Sequence, residues 1–545
     1  MADRQWGPEQ QPQHRSRSTA SWKWVPRVIV LLAIWGIHTG GLWAGNKTHN
    51  PVGLAGALAL LTGIAFLGLP ASVQHMLLTP FRHTTHRRKR TAGDPPADPL
   101  QGLRTAAWQA GGGVHLGAAP NNNQLRFSRA ERAVLLLGPP RSGKTSSVII
   151  PTLLSHTGPV VATSTKPDLF QATQRARAAS GRLWVYDPTG SNPKPAGAWE
   201  LRWSPVTCAG TWDEALLIAR AMTTQIGAGT TDRTHWANRA QALLAPMLHA
   251  AATHGRDIDT VVDWVMRHNL DQAGVLLEDD HCSRMAFTSL LGVFHTEDRE
   301  RSSIFSAAAD ALQAYTSEHA LGTGREPNFD PGEFVRCQDT IYIHAPAEAQ
   351  AAAAPIVCGL LAEIRRHTYQ AHTQGHLHGR VLFALDEVAN IAPLEELPQI
   401  ASEGGGQGLL LLAALQDLSQ ARERWGHQAD GFLTLFGTKL ILPGIADTKT
   451  LEAISVMLGE YDRQVVAHNQ PRVGIGDVLL GGRHPLPKSS TTYSTQRTRV
   501  LSPGEIANIP TGRGLHLDGV SRELITLTPA HAQEPWRTLT ALSAS

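Results

Sequence analysis

Gly138-Pro139-Pro140-Arg141-Ser142-Gly143-Lys144-Thr145 places two glycines, a lysine and a hydroxyl at G-x-x-x-x-G-K-[ST] spacing. That spacing suits phosphate. Glycines let backbone N–H groups curl around phosphate oxygens, and a helix that follows adds the positive end of its dipole. Lys144 brings a mobile charge to the β and γ phosphates, and the Thr145 hydroxyl offers a ligand for Mg2+. The candidate nucleotide-binding set therefore runs from Gly138 through Ser146. The pattern demands a strand before it and a helix after it. The apolar run 133–137 and the helical pattern 144–155 meet that demand.

A second element is the apolar run 381–385 ending in Asp386-Glu387. A buried strand with paired acids at its end suits a Walker B role, with Asp386 holding Mg2+ through water and Glu387 polarising the attacking water as general base. A third is the run 409–415 ending in Gln416. An amide at the end of a neighbouring strand can reach a γ-phosphate and register its loss. Lys144, Glu387 and Gln416 form the expected catalytic set, and Thr145 and Asp386 the expected metal set. ATP and Mg2+ are the expected cofactors.

The elements that must position these groups alternate. Apolar runs at 133–137, 160–163, 183–186, 340–344, 381–385, 409–413 and 439–442 read as buried strands, many followed by helical patterns. This predicts an α/β domain with a mostly parallel sheet. The alternation stops over 255–326, which reads as helix only and predicts an all-α insert. The nucleotide-binding domain is thus expected in two parts, 131–254 and 327–528. Pro- and Gly-rich 82–130 reads as a linker with a short hairpin near 114–117, polar 465–494 as a loop, and 529–545 as a tail.

The chain has 545 residues, too many for one simple core. It has 49 Lys+Arg against 46 Asp+Glu, a balance too even to demand nucleic-acid binding, so any basic surface is local. Its 4 cysteines lie far apart, which excludes a disulfide scaffold or a zinc cluster and fits a reducing compartment.

Residues 1–26 are polar and read as a disordered tail. No residue from Val28 to Gly45 is charged, nor any from Pro51 to Phe81, whose most apolar part is 52–73. Runs of about 18–22 helical residues match the bilayer core. Residues 27–81 are therefore expected to form a two-helix transmembrane hairpin with spans at about 28–45 and 52–73. Arg15, Arg17, Lys23 and Arg27 precede it, and Arg82 and the basic run Arg87–Arg90 follow it. The positive-inside rule then puts both chain ends in the cytoplasm.

Four further blocks accompany these motifs: Ser164-Thr-Lys166-Pro-Asp168, Val185-Tyr-Asp187-Pro-Thr-Gly190, His235-Trp236, and Asp386-Glu387-Val-Ala-Asn390-Ile-Ala-Pro393. In this order, and with Gly404–Gly408 and Ala414–Asp417, the chain resembles the type IV coupling proteins of conjugation systems, the TraG/TraD type, over about 25–528. The resemblance implies a RecA-like, FtsK/HerA-related ATPase anchored in the bacterial cytoplasmic membrane. It implies a homo-hexameric ring with an all-α domain at its cytoplasmic end, which joins a relaxase bound to single-stranded DNA (the relaxosome) to the channel proteins of a type IV secretion system. By motif it assigns Lys144, Thr145, Asp386, Glu387 and Gln416 to the nucleotide site. Lys166 and Asp168, expected just after a strand beside the P-loop strand, either support that site or start a helix.

One departure concerns the segment before the Gln416 strand. Several relatives carry a basic residue there, a candidate for completing a neighbour's site, whereas this chain has Gly404-Gly405-Gly406-Gln407. Arg141, inside the loop, and Arg422 and Arg424, after the Gln416 strand, are the other candidates for such a role. The glycines are alternatively expected to permit close backbone approach between subunits. Three competing functions remain at this point: a coupling protein for protein effectors, an FtsK/HerA-like pump for double-stranded DNA, and a membrane-tethered docking receptor that uses nucleotide only as a switch.

Overall fold

Strands sandwiched between two helical layers must be apolar on both sides, and this chain shows both sides separately. In the computed structural model, Leu135, Leu137, Val381, Phe383, Leu385, Leu411 and Ala413 join one core, and the intervening Val134, Leu136, Leu382, Ala384, Leu410 and Leu412 join another. The period of two places these cores on opposite faces of one sheet. The structure describes residues 99–109, 112–190, 193–224, 226, 233–469 and 490–544. The expected tail and membrane hairpin, 1–81, lie outside them.

In chain order the strands are β1 (Gly112–Ala118), β2 (Leu125–Arg129), β3 (Val134–Leu137), β4 (Val160–Ser164), β5 (Leu183–Tyr186), β6 (Trp199–Glu200), β7 (Thr340–His344), β8 (Val381–Leu385), β9 (Leu409–Leu415), β10 (Thr438–Ile441), β11 (Glu460–Asn469), β12 (Ser490–Arg499), β13 (Arg513–Asp518) and β14 (Ser521–Thr526). Twelve of them form one sheet in the order β2-β1-β14-β13-β10-β3-β9-β8-β4-β7-β5-β6. From β10 to β6 every pair is parallel. From β10 to β2 every pair is antiparallel. The sheet is therefore mixed, an α/β core carrying an antiparallel flank.

One face is covered by helices Thr145–Ser155, Asp168–Ala178 and Trp536–Ala544, through Ile149, Leu153, Leu169, Phe170, Trp536 and Leu539. The other is covered by Trp212–Thr223, Arg233–Thr253 and Gln350–Thr373. Ala347–Thr373 is the one helix among the described residues long and apolar enough to cross a membrane. Its Ile356, Val357, Cys358, Leu360 and Leu361 are fully buried, so here it serves as the central core helix.

Five expectations change. Residues 99–129 are not a plain linker: they form helix Pro99–Gln109 and strands β1 and β2 of the main sheet. The helical stretch begins at Trp212, well before 255, and its Trp264 and Phe305 join the same apolar core as the sheet's Phe383, so it does not pack around a core of its own. Polar 465–494 is not all loop, because β11 and β12 pair in register from Glu460↔Arg499 to Asn469↔Ser490. The tail after 529 folds back as helix Trp536–Ala544, anchored by a fully buried Trp536. Finally, β4 does not lie beside β3. Strands β9 and β8 separate them.

Candidate functional site

The carboxyl edge of the parallel sheet gathers the motif residues. Strand β3 runs into the loop Gly138–Lys144, β9 into Gln416, β8 into Asp386-Glu387 and β4 into Lys166 and Asp168. Because β9 and β8 stand between β3 and β4, the amide and the paired acids reach the loop from adjoining strand ends.

Two glycines make the loop possible. Gly143 has φ +93°, a conformation costly for any residue with a Cβ. A Cβ on Gly138 would stand 2.7 Å from Ser142 Oγ and 2.8 Å from Leu442 Cβ. Pro140 and Arg141 form the exposed crest beside a half-buried Pro139, and Arg141 takes φ 64° there. Ser142 Oγ is buried without a hydrogen-bond partner. The helix opens at Thr145, followed by Ser146, and an opening helical turn leaves N–H groups without carbonyl partners.

Lys144 lies back along the loop. Its Nζ donates to the Gly138 carbonyl at 2.5 Å and to the Pro139 carbonyl at 3.2 Å. Burial pulls this ammonium below its ordinary pKa, and the charges of Asp386 and Glu387 oppose that pull. Thr145 Oγ1 donates to Asp386 Oδ2 at 2.8 Å. Burial raises the Asp386 carboxyl, while the Thr145 bond and Lys144 lower it and Asp168 raises it further. Burial likewise raises Glu387, with Lys144 opposing, Asp386 reinforcing, and a hydrogen-bonding contact from the Gln416 side chain opposing. The fold thus brings Lys144, Thr145, Asp386, Glu387 and Gln416 to one place.

Two features escaped the sequence reading. Thr163 Oγ1, on β4, donates to the main-chain carbonyl of Asp386 at 2.7 Å. Its only sequence signal is a hydroxyl near the end of an apolar strand. Glu387 itself sits at φ 51°, ψ 46°, left-handed backbone that a residue with a side chain seldom adopts.

Other candidates are placed more modestly. Asp168 accepts from the Leu169 N–H at 2.9 Å and Ser164 Oγ donates to the Lys166 carbonyl at 2.8 Å, the bonds of a turn leading into a helix. Arg422 lies 3.5 Å from Asp447 of its own chain. The glycine run serves a close approach within the chain: a Cβ on Gly405 would stand 2.0 Å from the Glu131 carbonyl oxygen.

Strand order β10-β3-β9-β8-β4, with a phosphate-type loop, paired acids and an amide at three adjoining ends, defines a RecA-like P-loop fold. The chain belongs to the family described as Type IV secretory system Conjugative DNA transfer, which it matches over residues 82–515. It is 22% identical to Protein VirD4 of Rhizobium radiobacter over 435 residues, 72% of this chain and 61% of that protein. It therefore spans about three fifths of that relative's length. Among solved structures it resembles plasmid coupling protein TrwB in complex with ADP and Mg2+, at TM-score 0.55 and 18% identity over 74% of this chain and 87% of that one. It also resembles TrwB in complex with the non-hydrolysable ATP analogue ADPNP, at TM-score 0.54 and 18% identity over 73% and 86%. At that identity the likeness speaks for the fold.

Proposed function

We propose that this chain is the coupling protein of a conjugative type IV secretion system. In this reading it is an ATPase anchored by two N-terminal spans in the cytoplasmic membrane, with both ends in the cytoplasm. It works as a homo-hexamer that passes relaxase-bound single-stranded DNA to the channel proteins. The observation that carries the reading is the meeting of Lys144, Thr145, Asp386, Glu387 and Gln416 at one sheet edge, in a member of the conjugative DNA transfer family.

The residues present fit ATP and Mg2+. Ser142 Oγ is a buried hydroxyl of the loop that lacks a partner, so it is free to donate to a phosphate oxygen beside the loop's N–H groups. Thr145 and Asp386 supply the oxygen pair that Mg2+ favours, and they would hold it. When bound, Mg2+ neutralises charge on the β and γ phosphates. With ATP bound, Lys144 would carry charge to the same phosphates, Glu387 would take a proton from the attacking water, and Gln416 beside it would reach the γ-phosphate. TrwB has been solved with ADPNP and with ADP and Mg2+, which supports the same ligands here.

The test is transfer. Donor cells whose only copy carries Lys144→Ala should lose transfer of the element's DNA while the relaxase still nicks it. Undiminished DNA transfer contradicts the reading. Loss confined to exported proteins favours effector cargo instead.

A further inference from the structure

The peptide between Asp386 and Glu387 is held at both ends. Strands β4 and β8 run in parallel register up to the pair Thr163↔Leu385. One residue further, β4 has reached Ser164, whose hydroxyl closes the turn with Lys166. The carbonyl of Asp386 lies past the last pair, and the fully buried Thr163 side chain bonds it at 2.7 Å. On the other side of the same peptide, the Glu387 N–H donates to Asp386 Oδ1 at 3.2 Å. Beyond it, the Glu387 carbonyl accepts from the N–H groups of Asn390 and Ile391 at 2.9 and 3.1 Å.

The orientation of that peptide plane sets the backbone of Glu387, which lies in the left-handed region. Such a conformation is uphill for a side-chained residue and persists only where its surroundings over-determine it. The Thr163 bond is one of the few contacts that do so. It is made by a hydroxyl, where Val160 and Val161 of the same strand offer only methyl groups.

We infer that Thr163 is a positioning residue for hydrolysis: its hydroxyl fixes the Asp386–Glu387 peptide and so aims the Glu387 carboxylate. This rests on the reading of Glu387 as the general base. Thr163 does not touch the Asp386 carboxylate in this structure, which Thr145 and the Glu387 N–H hold. Its loss should therefore affect turnover and leave nucleotide and Mg2+ binding intact.

The experiment compares the full-length wild type in detergent with Thr163→Val, Thr163→Ser and Glu387→Gln, measuring kcat, KM, ADPNP affinity and the Mg2+ concentration for half-maximal rate. Thr163→Val removes the donor and keeps the branched shape, and the Asp386 carbonyl is left buried without that partner. Its kcat should fall on the order of ten- to a hundredfold, with KM, ADPNP affinity and Mg2+ response within about threefold of wild type. Thr163→Ser keeps the hydroxyl and should stay within about threefold in kcat. Should the valine variant not fold, Thr163→Ala carries the same test. A wild-type kcat in Thr163→Val, an equal loss of ADPNP affinity, or a serine variant as impaired as the valine one overturns the inference. Wild-type turnover in Glu387→Gln instead overturns the role of Glu387, on which the inference depends.

Discussion

Thr145 Oγ1 and Asp386 Oδ2 lie 2.8 Å apart, a hydrogen bond joining residues 241 positions apart in sequence. It ties the first helical turn after the P-loop to the end of β8. If this pair holds Mg2+, Asp386→Asn should leave the fold intact and cut Mg2+-dependent turnover by about a hundredfold or more. Turnover against Mg2+ concentration checks this. A variant that keeps the wild-type curve removes Asp386 from the metal set.

Lys144 is buried against the Gly138 and Pro139 carbonyls, and its charge is balanced by Asp386 and Glu387. Lys144→Ala should abolish nucleotide binding or turnover. Equilibrium binding of fluorescent ADPNP and steady-state hydrolysis read both. Full turnover in this variant removes the P-loop assignment.

Burial holds the Glu387 carboxyl above its ordinary pKa. A general base acts only when deprotonated, so the rate should rise with pH through a value above that of an ordinary carboxylate, near 4.5. Glu387→Gln should bind ATP normally and hydrolyse it on the order of a hundredfold or more slowly. If binding is lost instead, Glu387 is structural.

Arg177 is a fully buried cation that the described hydrogen bonds satisfy with neutral oxygens: Thr340 Oγ1 at 2.7 Å and the carbonyls of His156, Gly158 and Gln338 at 2.6, 3.0 and 3.0 Å. It pins the C-terminal end of helix Thr145–Ser155 and the starts of β4 and β7 together. Arg177→Met leaves four acceptors without this donor. It should lower the unfolding free energy by about 3–5 kcal/mol, read from urea titration. A change under about 1 kcal/mol contradicts this.

His115 and His156 are buried and their pKa values fall from 6.5 to about 3, for His156 by burial first and the Arg177 charge second. Their folded values lie below their unfolded ones. The stability they protect is therefore full above about pH 6.5 and is lost as pH falls toward about 3. Each should contribute about 1.4 kcal/mol of loss per pH unit in that window. The urea midpoint between pH 7 and 5 should drop accordingly, and less steeply in His156→Gln. A flat profile refutes the assignment.

The seven doubly buried strands were legible because burial on both faces writes an unbroken apolar run. The same rule hid the rest. Strand β1, Gly112-Gly-Val-His-Leu-Gly-Ala118, carries glycines at φ +66° and +142° and reads as linker. The ribbon β11–β12 exposes nearly all its described side chains, so hydropathy has no period to show. The C-terminal helix is anchored by single residues, Trp536 above all. Within the site, P-loop, paired acids and Gln416 were legible as motifs. The Thr163 bond and the left-handed Glu387 were not, because both arise from where β4 stops beside β8. The order β3-β9-β8-β4 corrects the placement of Asp168 for the same reason, since pairing is not written locally.

In the proposed function the chain is an ATP-driven motor coupled to single-stranded DNA. The most direct measurement is ATP hydrolysis by the full chain in lipid nanodiscs, alone, with single-stranded DNA and with duplex, at low and moderate salt. Phosphate contacts weaken with salt because counterions are released on binding. Single strands should stimulate such a motor, with an effect that fades as salt rises and is absent from Glu387→Gln. Preferential stimulation by duplex, or basal turnover that neither form of DNA changes, contradicts that reading.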